Sequence, residues 1–404
     1  MKKRSVDELI YLGLCLFAFS VIFSVTAVEA ALFLIIFLLI ARMRRENKLG
    51  ELKRTLTGHP LFIPWMVYLG VCLLTSLTAY YPMKGLDQLN SDFLKYACLS
   101  TLFLAVRKDH LNTLSRVYIA AAALSAGIGI AQVFHLFPSV YDAASVRANG
   151  LMNAVRYGEV MVLALALALA RVLSPRPTDS RRERFFYIAA AAAVFAALIF
   201  SQTRGAYLGF VVLITCLLIF GKGFRLKLLA ATGLLLAVAL IAAKVTPAIS
   251  SRLTATATSS GTSANQYVAI NTRKELWITG YKMFKAHPLV GVGPDNVKSL
   301  FLIFHPETIE DKVWGSLHSI YIHQAAERGI IGLGALLFLF WAMLTFALKR
   351  FRALPGPDTL WALCALPAFY AMNLTEISFQ HVHTSFAIFL ALAFSAAAEE
   401  GASN

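Results

Sequence analysis

Twelve apolar runs recur along this 404-residue chain, and they limit its possible folds more than any other feature. They cover roughly residues 8–24, 25–41, 60–79, 92–106, 114–134, 159–173, 185–202, 205–220, 227–245, 319–348, 358–373 and 382–398. A helix that crosses a bilayer needs about 20 mostly apolar residues. In lipid its backbone polar groups must be satisfied within the helix itself. The runs therefore predict an all-α polytopic membrane protein with about 12 transmembrane helices. Composition agrees: 58% of residues are hydrophobic and 15% charged, against roughly 25% charged in soluble domains. The first two runs are nearly contiguous and read as a tight hairpin. Lys2, Lys3 and Arg4 precede the first run as they would in a secretory signal. However, Val28-Glu29-Ala30 is a poor cleavage site and a second run follows at once, so the start reads as an uncleaved anchor.

Lysine and arginine in the connections set the orientation. With both termini cytoplasmic, inside segments carry 23 of the 37 basic residues, in clusters such as Arg42, Arg44 and Arg45, or Arg181, Arg182 and Arg184. The net charge of +15 is then mainly a topology signal with affinity for anionic membrane lipids. No basic cluster interleaves with aromatics on one face, which argues against a nucleic-acid partner. Cys15, Cys72, Cys98, Cys216 and Cys364 all fall inside apolar runs and read as small packing residues. No zinc spacing is present.

The chain reads as a single membrane domain, 1–404, with one large hydrophilic loop outside, 246–318, between the ninth and tenth spans. Ser250 to Gln266 is rich in Ser, Thr and Ala and reads as irregular. Thr272-Arg273-Lys274-Glu275 has a capping-box pattern, so a helix is expected to begin there. Trp277, Tyr281 and Phe284 follow at helical spacing, and His287-Pro288 ends the helix. Gly291-Val292-Gly293-Pro294-Asp295-Asn296 is a turn cluster.

Chemistry is expected where polar residues meet the outer lipid boundary. The turn Ser201-Gln202-Thr203-Arg204-Gly205-Ala206 lies between two runs with almost no linker. An arginine pinned there can offer its planar fork of donors to a phosphate; the alternative is a cation snorkelling from a helix end. Arg273, in the expected first turn of the loop helix, would oppose the macrodipole. Free amides together with a guanidinium would make an anion site; the alternative is a solvated arginine beside Lys274. His318 begins the tenth run, with His323, Glu327 and Arg328 further along. His323 and Glu327 are four residues apart and share a helix face, whereas His318 and His323 are five apart and share one poorly, so no metal site is expected. The alternative for these histidines is a satisfied place at the interface. His323, Glu327 and Arg328 are possible substrate contacts, and so are two lesser groups: Arg147, Arg156 and Tyr157 in the loop before the sixth span, and His381 and His383 at the start of the last. Each has a structural alternative as a loop-shaping or interfacial group.

These segments resemble the bacterial O-antigen ligase and polymerase family. The resemblance rests on His318 with the glutamate-bearing helix and Gly329-Ile330-Ile331-Gly332, and on the Ser201-Gln202-Thr203-Arg204-Gly205 turn. It rests also on Arg273 ahead of Trp277 and His287-Pro288-Leu289-Val290-Gly291-Val292-Gly293, and more loosely on Arg147 to Asn153. It covers most of the chain and is most specific from Arg273 to Gly334. It implies a glycosyltransferase of GT-C-type architecture in the bacterial inner membrane, its active site facing the periplasm beneath the helical loop. The donor would be an undecaprenyl-diphosphate-linked glycan and the acceptor a sugar hydroxyl of lipid A–core, in lipopolysaccharide biosynthesis. O-antigen polymerase or a related oligosaccharide transferase is the alternative within the family.

The residues suit that chemistry. Undecaprenyl diphosphate is a good leaving group that needs its charge met, which Arg204 and Arg273 can do without metal or other cofactor. A neutral imidazole can take the acceptor hydroxyl's proton, and His318 is the candidate base. No carboxylate pair points to a glycosyl-enzyme intermediate, so inversion by direct displacement is expected. A lipid-linked glycan transporter is the competing class. Transporters show repeats and mid-bilayer ionisable groups; here no repeat is found and the candidate charges gather at one surface.

Overall fold

The computed structural model describes residues 5–139, 147–176, 179–221, 264–305 and 313–398, together with Gly233. Among them every regular element is helical: α1 Val6–Ser20, α2 Val25–Arg45, α3 Leu49–Thr57, α4 Phe62–Leu77, α5 Pro82–Ala105, α6 Leu111–Val133, α7 Ala154–Leu173, α8 Arg181–Ser201, α9 Arg204–Phe220, α10 Ala264–Ala286, α11 Val297–Phe304, α12 Ile320–Ala353, α13 Pro357–Met372 and α14 Val382–Ala397, with 3-10 turns at Lys108–His110 and Ser378–Gln380. Eleven of the twelve apolar runs coincide with a helix. The other, 227–245, lies outside the described residues, as does the loop from 246 to 263.

Among the described residues, length and composition by themselves qualify four helices as crossings, or five with one bent pair. Four helical stretches are long and apolar enough by themselves: Val25–Arg45, Lys108–Val133, Arg181–Ser201 and Ile320–Ala353. Leu49–Thr57 and Phe62–Leu77, bent by 86° at their junction, make a fifth if the pair is one span. Arg204–Phe220 and Val382–Ala397 are apolar but short.

Helix starts follow local chemistry. Ser5 and Glu8 close a capping box on α1, and Ser180 and Glu183 another on α8. Ser24 caps α2 three residues after α1 has ended, which builds the expected hairpin. Asn153 caps α7 through the Val155 amide, at 2.9 Å. α7 and α14 form the centre. Every residue of α7 from Tyr157 to Arg171 is buried, and so is α14 from His383 to Ser395. A helix that is apolar all round belongs inside a bundle. The Leu-Ala alternation of α7 and the Ala189–Ala193 run of α8 let these backbones approach closely, as lipid-embedded packing requires.

The bundle has two distinct ends. One gathers ion pairs: Asp7 pairs with Arg42 at 2.9 Å and Arg107 at 3.4 Å, Arg116 with Glu183, Arg171 with Asp179 at 2.9 Å, and Arg176 with Asp358 at 2.6 Å. The other gathers the connections that the sequence marks for chemistry. There Ala148 bonds Phe200, the Tyr80 amide bonds the Val292 carbonyl, and the Ile320 amide bonds the carbonyls of Asn373 and Glu376.

Two expectations for the outer loop need correction. α10 begins at Ala264, not at Thr272, so the capping box is not formed and Arg273 lies well inside the helix. The Ala264–Asn271 stretch contains no Gly or Pro to stop a helix propagating through it, so Thr272 has no reason to leave helical geometry. The last three residues of the stretch read as irregular, Ala264 to Gln266, are likewise helical. The helix does end at Ala286, before His287-Pro288, and Gly291, Gly293 and Asp295 all take positive φ in the expected turn cluster.

α12 is broken at Gly329, whose φ is 63°. The break removes the intrahelical partners of nearby carbonyls, and buried backbone groups must find others. The turn cluster supplies them. Val292 N–H donates to Ala326 O at 2.9 Å and Gly293 N–H to Glu327 O at 2.8 Å, while Ile330 N–H donates to Pro288 O at 2.8 Å. The two glycine-rich segments, far apart in sequence, are hydrogen-bonding partners.

Candidate functional site

The turn between α8 and α9 is held in a non-helical shape from two sides. Gln202 ends α8 in the left-handed region, with φ 52°. Arg147 donates from Nε to the Ser201 carbonyl at 2.9 Å and from Nη2 to Thr203 Oγ1 at 3.2 Å. Thr203 Oγ1 in turn donates to the Ala154 carbonyl at 2.9 Å. Thr203 is thus the N-cap of α9 without a side-chain capping bond, and Arg204 is the first helical residue. The anion-site argument made for Arg273 applies here instead: first-turn amides and an exposed guanidinium share one helix start. Arg204 has no ion pair among the described residues.

The connection from α13 to α14 is built as tightly. Asn373 ends α13, and its Oδ1 accepts the Phe379 amide at 2.9 Å. Ser378 donates to Glu159 Oε1 of α7 at 2.6 Å. This folds Glu376 inward, leaving it 4% exposed. Gly205 packs directly on the connection: a Cβ there would overlap Thr375 Oγ1 and lie 3.8 Å from Glu376 Cγ. The start of α9 and the Glu376 side chain are therefore neighbours.

Two other candidates meet the same carboxylate. Arg273 Nη2 of α10 lies 2.7 Å from Glu376 Oε1, and His318 Nδ1 lies 2.8 Å from Glu376 Oε2. Both side chains stay partly exposed, at 33% and 28%. His318 sits just before α12 in the left-handed region, with φ 47°, and packs edge-on to Trp314 at 5.7 Å. For a residue other than glycine that backbone costs about 1–3 kcal/mol and clusters at functional sites. Arg273 and His318 thus converge on one buried acid that sequence reasoning did not single out, and the helix start that carries Arg204 packs beside it through Gly205. The available signal was a lone carboxylate in a short outer connection with no basic neighbour.

The remaining candidates make other contacts, although His381 lies within electrostatic reach of His318. Arg147 braces the turn as described. Arg156 is exposed on the first turn of α7. Tyr157 is fully buried, its hydroxyl donating to the Ser125 carbonyl at 3.0 Å, so it shapes the fold rather than meeting a ligand. His323 and Glu327 do share a face, 3.4 Å apart, but both are buried. Glu327 accepts the Asp295 amide at 2.8 Å, and Arg328 reaches Asp92 of α5 at 2.8 Å. Lys95 completes this buried group at 3.2 Å from Asp92. These contacts tie α5, α12 and the 287–296 segment together, so the structure gives His323, Glu327 and Arg328 packing partners within the protein. His383 is also buried, 2.8 Å from the Val21 carbonyl, which locks α14 to the α1–α2 hairpin. His381 starts α14 with Nδ1 4.0 Å from Glu159 Oε2. Burial, reinforced by Arg156, pushes the His381 ring down to about 3, so it is neutral at physiological pH.

Among the described residues no three His, Cys, Asp or Glu side chains converge as metal ligands; Glu307, Glu310 and Asp311 lie outside them. The arrangement offers two guanidinium groups for an anion and an imidazole beside them. No curated protein matches the chain at a significant level. The O-antigen ligase family matches residues 189–338, a segment that contains Arg204, Arg273 and His318 but neither Glu376 nor Arg147. Its members are glycosyltransferase-like membrane enzymes that act as ligases or polymerases on lipid-linked glycans.

Proposed function

Because residues 189–338 are of the O-antigen ligase family, we propose that this chain is a ligase that transfers a glycan from undecaprenyl diphosphate to a sugar hydroxyl of lipid A–core. The observation that carries the reading is the convergence of Arg204, Arg273 and His318 at one end of the bundle. The two arginines hold the donor diphosphate. As the anomeric C–O bond breaks, its electron pair passes to the diphosphate, and the fixed guanidinium groups meet that charge. His318 takes the proton of the acceptor hydroxyl as its oxygen bonds the anomeric carbon from the opposite side. The product has inverted configuration, and no metal takes part. The chain sits in the inner membrane as about twelve crossings of GT-C-type architecture, with both termini cytoplasmic and the site in the periplasm beneath α10 and α11.

Deleting the gene and examining the lipopolysaccharide tests this. Core without O-antigen, with long glycan accumulating on the lipid carrier in the periplasm, is expected of a ligase. Core carrying a single repeat unit would make the chain a polymerase. Lipid-linked glycan trapped on the cytoplasmic side would make it a transporter.

A further inference from the structure

We infer that Glu376 is a positioning residue for the transfer reaction: its two carboxylate oxygens fix the tautomer of His318 and the direction of Arg273 at the same time. The inference rests on the functional reading of His318 and Arg273 given above. Glu376 lies outside the matched segment, in the connection between α13 and α14.

An ionised carboxylate can only accept hydrogen bonds. His318 Nδ1, 2.8 Å from Oε2, therefore carries the ring proton and donates it. That leaves the Nε2 lone pair as the basic site, and Nε2 has no hydrogen bond among the described residues. A free imidazole exchanges between tautomers and rotates about χ2; here both freedoms are removed. The second oxygen accepts from Arg273 Nη2 at 2.7 Å, which leaves Nε and Nη1 of that guanidinium for a diphosphate.

The anchor itself is rigid. Backbone bonds from Ile320 to Asn373 and Glu376, the Asn373 bond to Phe379 and the Ser378 bond to Glu159 all fix the connection. Glu376 is nearly shut off from solvent, so water does not compete for its oxygens. The same carboxylate also joins three separately folded pieces, α10, the start of α12 and the α13–α14 connection.

During transfer the acceptor proton moves to Nε2 as the hydroxyl oxygen bonds the anomeric carbon and the diphosphate leaves with the bonding pair. The ring becomes an imidazolium beside a carboxylate that already accepts from its other nitrogen. Glutamine in place of Glu376 has one acceptor oxygen and can serve only one of the two partners. If its amide group faces Nδ1, the ring proton is displaced to Nε2 and the base is lost.

The test uses the full-length enzyme in lipid vesicles with lipid-linked donor and lipid A–core acceptor, comparing Glu376→Gln, Glu376→Asp and His318→Ala. Glu376→Gln is expected to lower kcat about 100-fold or more while the donor KM stays level, because its amide oxygen still accepts from Arg273 when the amide nitrogen faces Nδ1. Glu376→Asp keeps the charge at shorter reach and is expected to recover about a tenfold part of that loss. Wild-type kcat in Glu376→Gln, with His318→Ala inactive, overturns the positioning role alone. Equal damage to kcat and donor KM in both Glu376 variants also overturns it, since a merely structural role damages both. Turnover retained by His318→Ala overturns the base reading itself. If Glu376→Gln cannot be purified folded, Glu376→Asp decides: a selective loss of kcat supports the role, and wild-type kcat overturns it.

Discussion

Gly329 and Leu289 meet backbone to backbone: a Cβ added to Gly329 would overlap the Leu289 carbonyl, and Gly329 itself holds a positive φ. The break in α12 is thus the seat of the outer loop, and Gly329→Ala is expected to disrupt it twice, by overlap and by left-handed strain. Loop undocking should appear as faster proteolysis between residues 286 and 319 in membranes, along with loss of transfer. A variant with wild-type proteolysis and turnover would remove the seat from the mechanism.

His318→Ala is expected to abolish transfer while leaving membrane insertion intact. His318 is partly exposed and its loss opens no large core cavity. Turnover per folded molecule in vesicles is the measurement, since a fall in protein level alone says nothing about the base. Near-normal turnover would eliminate His318 from that role.

Arg204 and Arg273 should separate by stability rather than by activity. Either alanine variant is expected to lose about 100- to 1000-fold in turnover, with weaker donor binding. Lysine should recover only part, because it lacks the planar fork. Arg204→Ala breaks no ion pair among the described residues and should change stability by about 0.5 kcal/mol or less. Arg273→Ala removes one partner of a buried carboxylate and should cost about 1–3 kcal/mol. Thermal unfolding in detergent distinguishes the two, and unchanged donor affinity and turnover in both would end the diphosphate role.

Arg328→Ala should act on folding. Its guanidinium is fully buried between Asp92 and Glu327, and breaking a buried pair from one side costs about 3–5 kcal/mol. Folded yield is expected to fall sharply, with residual molecules showing an unaltered donor KM. A stable variant with a raised donor KM would return Arg328 to the substrate site.

Saturating EDTA should leave turnover of the purified enzyme nearly unchanged, because two guanidinium groups can meet the diphosphate charge. Loss of activity that magnesium or manganese restores, and ionic strength does not, would overturn the metal-free route and direct attention to Asp295, Glu307, Glu310 and Asp311.

The helices were legible because a membrane bundle forces nearly every residue of a span to be apolar, and long runs such as those within Val25–Arg45 and Ile320–Ala353 stand out as helices. His318, Arg204 and the 291–296 turn were legible because polar groups at the ends of such runs stand out. The start of α10 was not: a Thr-x-x-Glu pattern caps a helix only if the chain before it leaves helical geometry, and nothing in Ala264–Asn271 makes it do so. Glu376 was invisible for a different reason. Its significance is a meeting with residues 103 and 58 positions away, and no local pattern encodes that. The Arg328 pairing was not legible either, because a charge near a membrane surface looks the same in sequence whether it faces a ligand or the Asp92 carboxylate.

The placement of Glu376 also sets when a newly made molecule can become active. The segment that holds Arg204, Arg273 and His318 is synthesised and threaded into the bilayer first, whereas Glu376 emerges only after α13, and its connection closes only once α14 has inserted beside α7. On the proposed reading, a nascent chain has Arg204, Arg273 and His318 before it has Glu376. A product cut before α13 would carry Arg204, Arg273 and His318 without Glu376 to align them.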